Sequence, residues 1–287
     1  MPTPREILEY LFPYVVTAGT YSTEVQRRVT THQAKDGATP FHHALSDADI
    51  TIQAFLEVAL LARFPQVSFF SEEQDQSLNA KYFPSGAELE VLVDPVDGTR
   101  AYIDNRPHYQ VIVSLHDRHS LVGALCYMPR HKRAYMAVKG EGAVVFSEND
   151  IATGGRGTPL RLSHASGPVM VFNRPDLVAI FEPHCAVVDL LSEYARGEDG
   201  LLPTDVLTGR ALAHVVAPCQ AIDGGALALI AEEAGAIVTD LEGRPVGSFR
   251  DNPKRVLPYL VVAATPEASA QVLGILKGKV GERPGIG

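Results

Sequence analysis

The period of apolar and polar positions changes several times along the chain, and each change marks an element. Thr3-Pro4-Arg5-Glu6 has the form of a capping box with proline at the first helical position. Ile7, Leu8, Leu11 and Phe12 follow at helical spacing and predict a buried stripe. Pro13 is expected to kink or interrupt that helix, because it lacks an N–H and crowds the preceding turn. Residues 35–43 (KDGATPFHH) read as a loop. Ser46-Asp47-Ala48-Asp49 then opens a second helix, with Ile52, Phe55, Leu56, Ala59 and Leu60 as its buried face and a stop near Phe64-Pro65.

Strand-like runs come next. VSFF (67–70) leads into Ser71-Glu72-Glu73, and ELEVLVD (88–94) leads into Pro95-Val96-Asp97-Gly98-Thr99. VIVSLH (111–116), LVGALCY (121–127) and RAYMAV (133–138) are short, turn-separated runs that predict successive strands of one sheet. The glycine-rich stretch over 140–159 is the expected crossing between an N-terminal α+β half, residues 1–148, and a C-terminal α/β half, residues 149–287. In the second half PVMVF (168–172) reads as a strand, and DLLSEYARG (189–197) as a helix ended by Gly197. Residues 221–245 form a helix–strand–turn unit with Asp223 at the helix N-terminus and Gly235 as its left-handed C-terminal cap.

Composition bounds the function class. The 287 residues are 46% hydrophobic with a net charge of −9, which suits a globular chain with a substantial core and argues against a protein that coats nucleic acid. No run approaches a membrane span, the N-terminus has no signal-peptide form, and the three cysteines lack CxxC spacing. A cytoplasmic protein with no nucleic-acid polymer or membrane as partner is the expectation.

The chemistry concentrates in acids at element ends. Asp49, Glu72 and Asp223 each have an ordinary reading, as a capping residue, a solvated loop acid and an N-cap respectively. Asp94-Pro95-Val96-Asp97-Gly98-Thr99 is different. Hard cations such as Mg²⁺ take carboxylate and carbonyl oxygens, and the two aspartates with the Val96 carbonyl can converge on one or two of them. Pro95 stiffens the turn, Gly98 permits it, and the N–H groups that follow suit an anion. Cations beside an anion-binding turn fit phosphate chemistry. The aspartyl-phosphate phosphatases of the haloacid dehalogenase type are excluded: their D-x-D-G-T pattern needs a nucleophilic aspartate where Pro95 stands.

Glu72-Glu73, Asp94-Pro-Val-Asp97-Gly-Thr99 and Ile222-Asp223-Gly-Gly225-Ala, in this order, resemble the three signatures of the inositol monophosphatase family. The resemblance implies a layered αβαβα sandwich of the inositol monophosphatase/fructose-1,6-bisphosphatase type, with the site between its halves. It implies two or three Mg²⁺ ions, one held by Glu72, Asp94 and the Val96 carbonyl, another by Asp94, Asp97 and Asp223. Thr99 with Glu72 would activate the attacking water, and Asp49 would support a metal-bound water or a weaker third ion. Gly98, Thr99, Arg100 and Asp223 are the expected substrate contacts. Ser71, Ile222 and the His42-His43 pair depart from the family pattern near the site, and His214 and Cys219 fall where relatives place contacts to the alcohol. The implied activity is hydrolysis of a small phosphorylated alcohol such as inositol 1-phosphate. A 3′(2′),5′-bisphosphate nucleotide or histidinol phosphate is the alternative substrate, and a catalytically silent metal-binding regulator the alternative of another class. A homodimer is a further expectation.

Overall fold

The computed structural model describes residues 1–29, 45–197, 200–216, 218–246, 256–257 and 259–279. These residues divide into two compact units, 1–159 and 160–287.

The first unit opens with helix α1, Pro4–Val25, capped as expected by the reciprocal Thr3–Glu6 box. Pro13 does not interrupt it. The helix runs through, because Pro13 lies on the exposed face, where the carbonyl its ring leaves without an N–H partner meets water. Ile7, Leu8 and Leu11 are buried, whereas Phe12 is only partly so. Helix α2, Asp47–Arg63, buries Ile52, Leu56, Ala59 and Leu60, but Phe55 is 38% exposed and lies against Tyr14 on the rim.

Both helices cover one face of a seven-stranded sheet: β1 (Ser68–Ser71), β2 (Glu90–Asp97), β3 (Gln110–His116), β4 (Leu121–Met128), β5 (Arg133–Val138), β6 (Gly142–Phe146) and β7 (Thr158–Leu160), in that spatial order. β1 and β2 are parallel, and the pairs from β2 to β6 are antiparallel. Between β2 and β3 sits the short helix α3, Thr99–Ile103, and between β6 and β7 helix α4, Glu148–Thr153. The glycine-rich stretch read as a crossing thus contains α4 and two strands of the first sheet, and the division falls at Pro159/Leu160 rather than at 148/149. Val91, Val93, Val96, Val111, Val113, Leu115 and Leu125 point at α1 and α2 and fill the core. The intervening residues of these strands, Leu92, Asp94, Ile112, Ser114 and Cys126 among them, occupy the opposite face and are also buried.

The second unit is built on a five-stranded sheet. Its strands are β8 (Val169–Val171), β9 (Val187–Asp189), β10 (Ala213–Val216), β12 (Ile237–Thr239) and β14 (Leu260–Ala263), ordered β12-β14-β10-β8-β9. β11 (Cys219–Gln220) and β13 (Val256–Leu257) form a separate antiparallel pair. Helices α5 (Pro175–Phe181) and α8 (Pro266–Leu276) pack on Val169, Val171, Ala213, Val215, Val261 and Ala263. Helix α6, Leu190–Arg196, ends at Gly197 in the left-handed conformation, as the sequence predicts. Helix α7, Ala221–Glu233, is followed by Gly235 at φ 103° and then β12. No described helix is long and apolar enough to cross a membrane.

Candidate active site

The acidic motif is not the frayed end of a strand. β2 continues through it to Asp97, and the register against β3 slips by one residue between Asp94, opposite Ile112, and Asp97, opposite Gln110. The slip is a β-bulge, and its cause is local. Pro95 has no N–H to give the ladder, and the Val96 N–H goes instead to Asp94 Oδ1 at 3.0 Å. In a regular strand, residues three apart point to opposite faces. The extra residue reverses that parity, so Asp94 and Asp97 leave the sheet on the same side while Val96 packs toward the helices.

Beyond Asp97 the chain turns on Gly98, at φ 88° and ψ 34°. A Cβ there would stand 2.6 Å from the His108 carbonyl oxygen, so both the left-handed backbone and the close approach require glycine. Gly98 starts α3, which places Thr99 in its first turn. The Thr99 hydroxyl donates to the Val96 carbonyl at 2.9 Å and lies 3.3 Å from Asp49 Oδ1. Asp49 caps its own helix as well: its Oδ2 accepts from the Ser46 N–H at 2.9 Å and from the Ser46 hydroxyl at 2.5 Å. The capping reading of Asp49 and its contact with the DGT turn therefore coexist.

Glu72 enters from the parallel neighbour. Its N–H donates to the Val93 carbonyl at 3.2 Å, which extends the β1–β2 register and sets Glu72 beside Asp94. The turn after β1 is braced from α2. Gln53 Nε2 donates to the Glu73 carbonyl and to Glu57 Oε1, both at 3.0 Å, while the Ser71 hydroxyl donates to Gln53 Oε1. Ser71, the departure from the family's glycine, thus carries a hydrogen bond that glycine lacks.

The electrostatics follow from this concentration of acid. Burial pushes the Asp49 carboxyl up to about 7 against the two Ser46 hydrogen bonds, with Glu73 and Glu72 raising it further. Asp97 is pushed up to about 6, again by burial; the Gln110 amide opposes the rise and Glu72 adds to it. The Cys126 thiol, on the same face of the sheet as Asp94, is driven upward by burial and by Asp97 and Asp94. Among the described residues no three His, Cys, Asp or Glu side chains close on one point as they stand. The donor set nevertheless suits a hard cation: it is all oxygen, its Asp49 and Asp97 carboxyls are pushed up by burial with the Glu72 charge adding to the rise, and the buried Gln110 Oε1 beside Asp97 has no hydrogen-bond partner.

The first unit therefore brings together Asp49, Glu72, Asp94, Val96, Asp97, Gly98 and Thr99. Arg100 does not stand free on this turn; its Nε donates to Asp104 Oδ2 at 3.0 Å along α3. In the second unit Asp223 is the third residue of α7, not its N-cap, which is Gln220. His214 lies in β10 between Met170 and Val262, with neither ring nitrogen hydrogen-bonded. His42 and His43 lie outside the described residues. Sequence reading missed Gln53 and Gln110, whose parts depend on a helix–turn contact and a strand register.

The pattern of three motifs on this two-sheet frame has known counterparts. The description "Inositol monophosphatase family" matches residues 4–278, nearly the whole chain. The chain belongs to the inositol monophosphatase family. As a member of it, the protein is a phosphatase, a phosphoric monoester hydrolase. A putative Nus factor SuhB of Neisseria meningitidis is 29% identical over 251 residues, covering 86% of this chain and 89% of its own. A histidinol-phosphatase of Chlorobaculum parvum is 28% identical, over 70% of this chain and 73% of its own. Among solved structures, an IMPase/NADP phosphatase complexed with NADP and Ca²⁺ superposes with a TM-score of 0.72 at 18% identity, covering 97% of each chain. The mixed α/β architecture with two sheets is thus that of this inositol monophosphatase family.

Proposed function

We propose that the protein is a Mg²⁺-dependent phosphomonoesterase acting on a small phosphorylated alcohol, with Glu72, Asp94, the Val96 carbonyl, Asp97 and Asp223 as the cation ligands. The observation that carries this reading is the bulge at Pro95-Val96, which turns two carboxylates spaced for opposite faces onto one face beside Glu72. Bound there, divalent cations supply charge neutralisation for the phosphate oxygens and for the developing alkoxide.

The chain's own groups account for the rest. Gly98 and the N–H groups at the start of α3, where no side chain caps the helix, would take an anion. The Thr99 hydroxyl, tethered to the Val96 carbonyl and next to Asp49, orients a water, and the Glu72 carboxylate takes its proton. The aspartyl-phosphate route of the D-x-D-G-T phosphatases is closed, since Pro95 occupies the position where that motif carries its nucleophile. Asp49, which accepts from Ser46 and from the Thr99 hydroxyl, holds that hydroxyl beside the acidic face.

The substrate is tested by a panel of inositol 1-phosphate, adenosine 3′,5′-bisphosphate, histidinol phosphate and fructose 1,6-bisphosphate, each with Mg²⁺ and with a chelator. Mg²⁺-dependent phosphate release concentrated on one member is expected, and the similarity to a histidinol-phosphatase makes histidinol phosphate the first rival to inositol 1-phosphate. No Mg²⁺-dependent release from any phosphoester contradicts the reading.

A further inference from the structure

Gln110 is the first residue of β3 and the direct cross-strand partner of Asp97 on the far side of the bulge. Its Nε2 donates to Asp97 Oδ2 at 2.7 Å. An ionised carboxylate only accepts, so the amide is fixed with nitrogen toward Asp97 and oxygen away from it. That oxygen, Oε1, is buried and without a hydrogen-bond partner. A buried amide oxygen left unpaired is costly, about 1–3 kcal/mol, and one beside a cluster of carboxylates is suited to a donor that arrives with a ligand. Mg²⁺ sheds its waters reluctantly and carries them into protein sites as strong donors.

We propose that Gln110 is a positioning residue for the cation site: it engages one oxygen of Asp97, leaving the other for the ion, and its free carbonyl oxygen accepts from the ion's hydration water. This rests on the functional reading above. Neutrality matters to the role. Lys or Arg in this place would compete with the cation for Asp97, and Glu would add repulsion; an amide orients the carboxylate without either effect. Position matters equally, because only the one-residue slip in β2 brings residue 110 opposite Asp97.

The test is Mg²⁺ binding to the full chain by titration calorimetry, alongside thermal melts in chelator and Mg²⁺-dependence of phosphate release. Gln110→Met keeps the length and removes both polar atoms. It is expected to raise the Mg²⁺ dissociation constant by roughly 10–100-fold, the usual cost of losing an outer-sphere partner. Loss of the amide donor to buried Asp97 should also lower the melting temperature in chelator, while the substrate KM should hold and kcat should recover at saturating Mg²⁺. A merely structural residue would lower the metal-free melt and leave the Mg²⁺ affinity alone, so the affinity is the deciding readout. Gln110→Asn, which retracts the amide by one methylene, should shift affinity in the same direction and decides the matter if the methionine variant does not fold. A dissociation constant within twofold of wild type in the folded variant overturns the inference. Wild-type protein that binds no Mg²⁺ overturns the functional reading with it.

Discussion

At Pro95 the ladder between β2 and β3 lacks a donor, and the next N–H is taken up by the Asp94 side chain. The geometry of the acidic face descends from these two facts. The sequence made the pair Asp94 and Asp97, the conformational role of Gly98 and the proximity of Thr99 legible, because turn chemistry is local. It did not reveal that the strand passes through the motif, nor that Gln110 meets Asp97, because register is a property of two strands. His214 illustrates a residue whose surroundings, not its type, set its behaviour. Burial between Met170 and Val262 lowers its imidazole to about 4 from an ordinary 6.5, so the folded chain holds it neutral. The unfolded chain binds that proton more readily, and stability falls as pH drops from about 6.5 toward 4. Urea unfolding at pH 7.5 and pH 5 should show His214→Leu losing about 2 kcal/mol less than wild type over that interval. An equal loss in both proteins would mean that His214 is not held neutral by the fold.

At the scale of elements, α2 both builds the core and braces the turn carrying Glu72. Its apolar stripe packs against α1 and the sheet, while Gln53 and Glu57, on the same helix one turn apart, are buried among polar groups. Asn79 donates to Glu57 Oε2 at 2.9 Å, which completes the satisfaction of that carboxylate. Replacing Gln53 with Leu would strip a donor from Glu57 and from the Glu73 carbonyl at once. The expected cost is about 3 kcal/mol in denaturant unfolding, because a buried charge loses a partner. A cost within the scatter of surface substitutions would show that the brace carries no stability. Periodicity located this helix and its capping box, yet placed Phe55 inside; a helical stripe fixes a face, and only the neighbouring helix decides how wide the buried part is. Similarly, Pro13 reads as a breaker until its side of α1 is known to face water.

At the scale of the whole chain, the net charge of −9 includes a group of acids that the first unit gathers beside its bulge, where burial pushes Asp49 and Asp97 upward. Such an arrangement is unfavourable on its own terms and fits a protein that works with divalent cations. The family was legible from three motifs, since their order and spacing carry the chemistry. The alcohol was not, since it is chosen by groups that the motifs do not contain, and Arg100, which follows the motif in sequence, is engaged with Asp104. The measurement that bears most directly on the account is phosphate release by Asp97→Asn at saturating Mg²⁺, on whichever phosphoester the wild type hydrolyses fastest. The account predicts a folded variant with wild-type circular dichroism whose release does not rise above the rate in chelator. Full Mg²⁺-stimulated activity in that variant would contradict it.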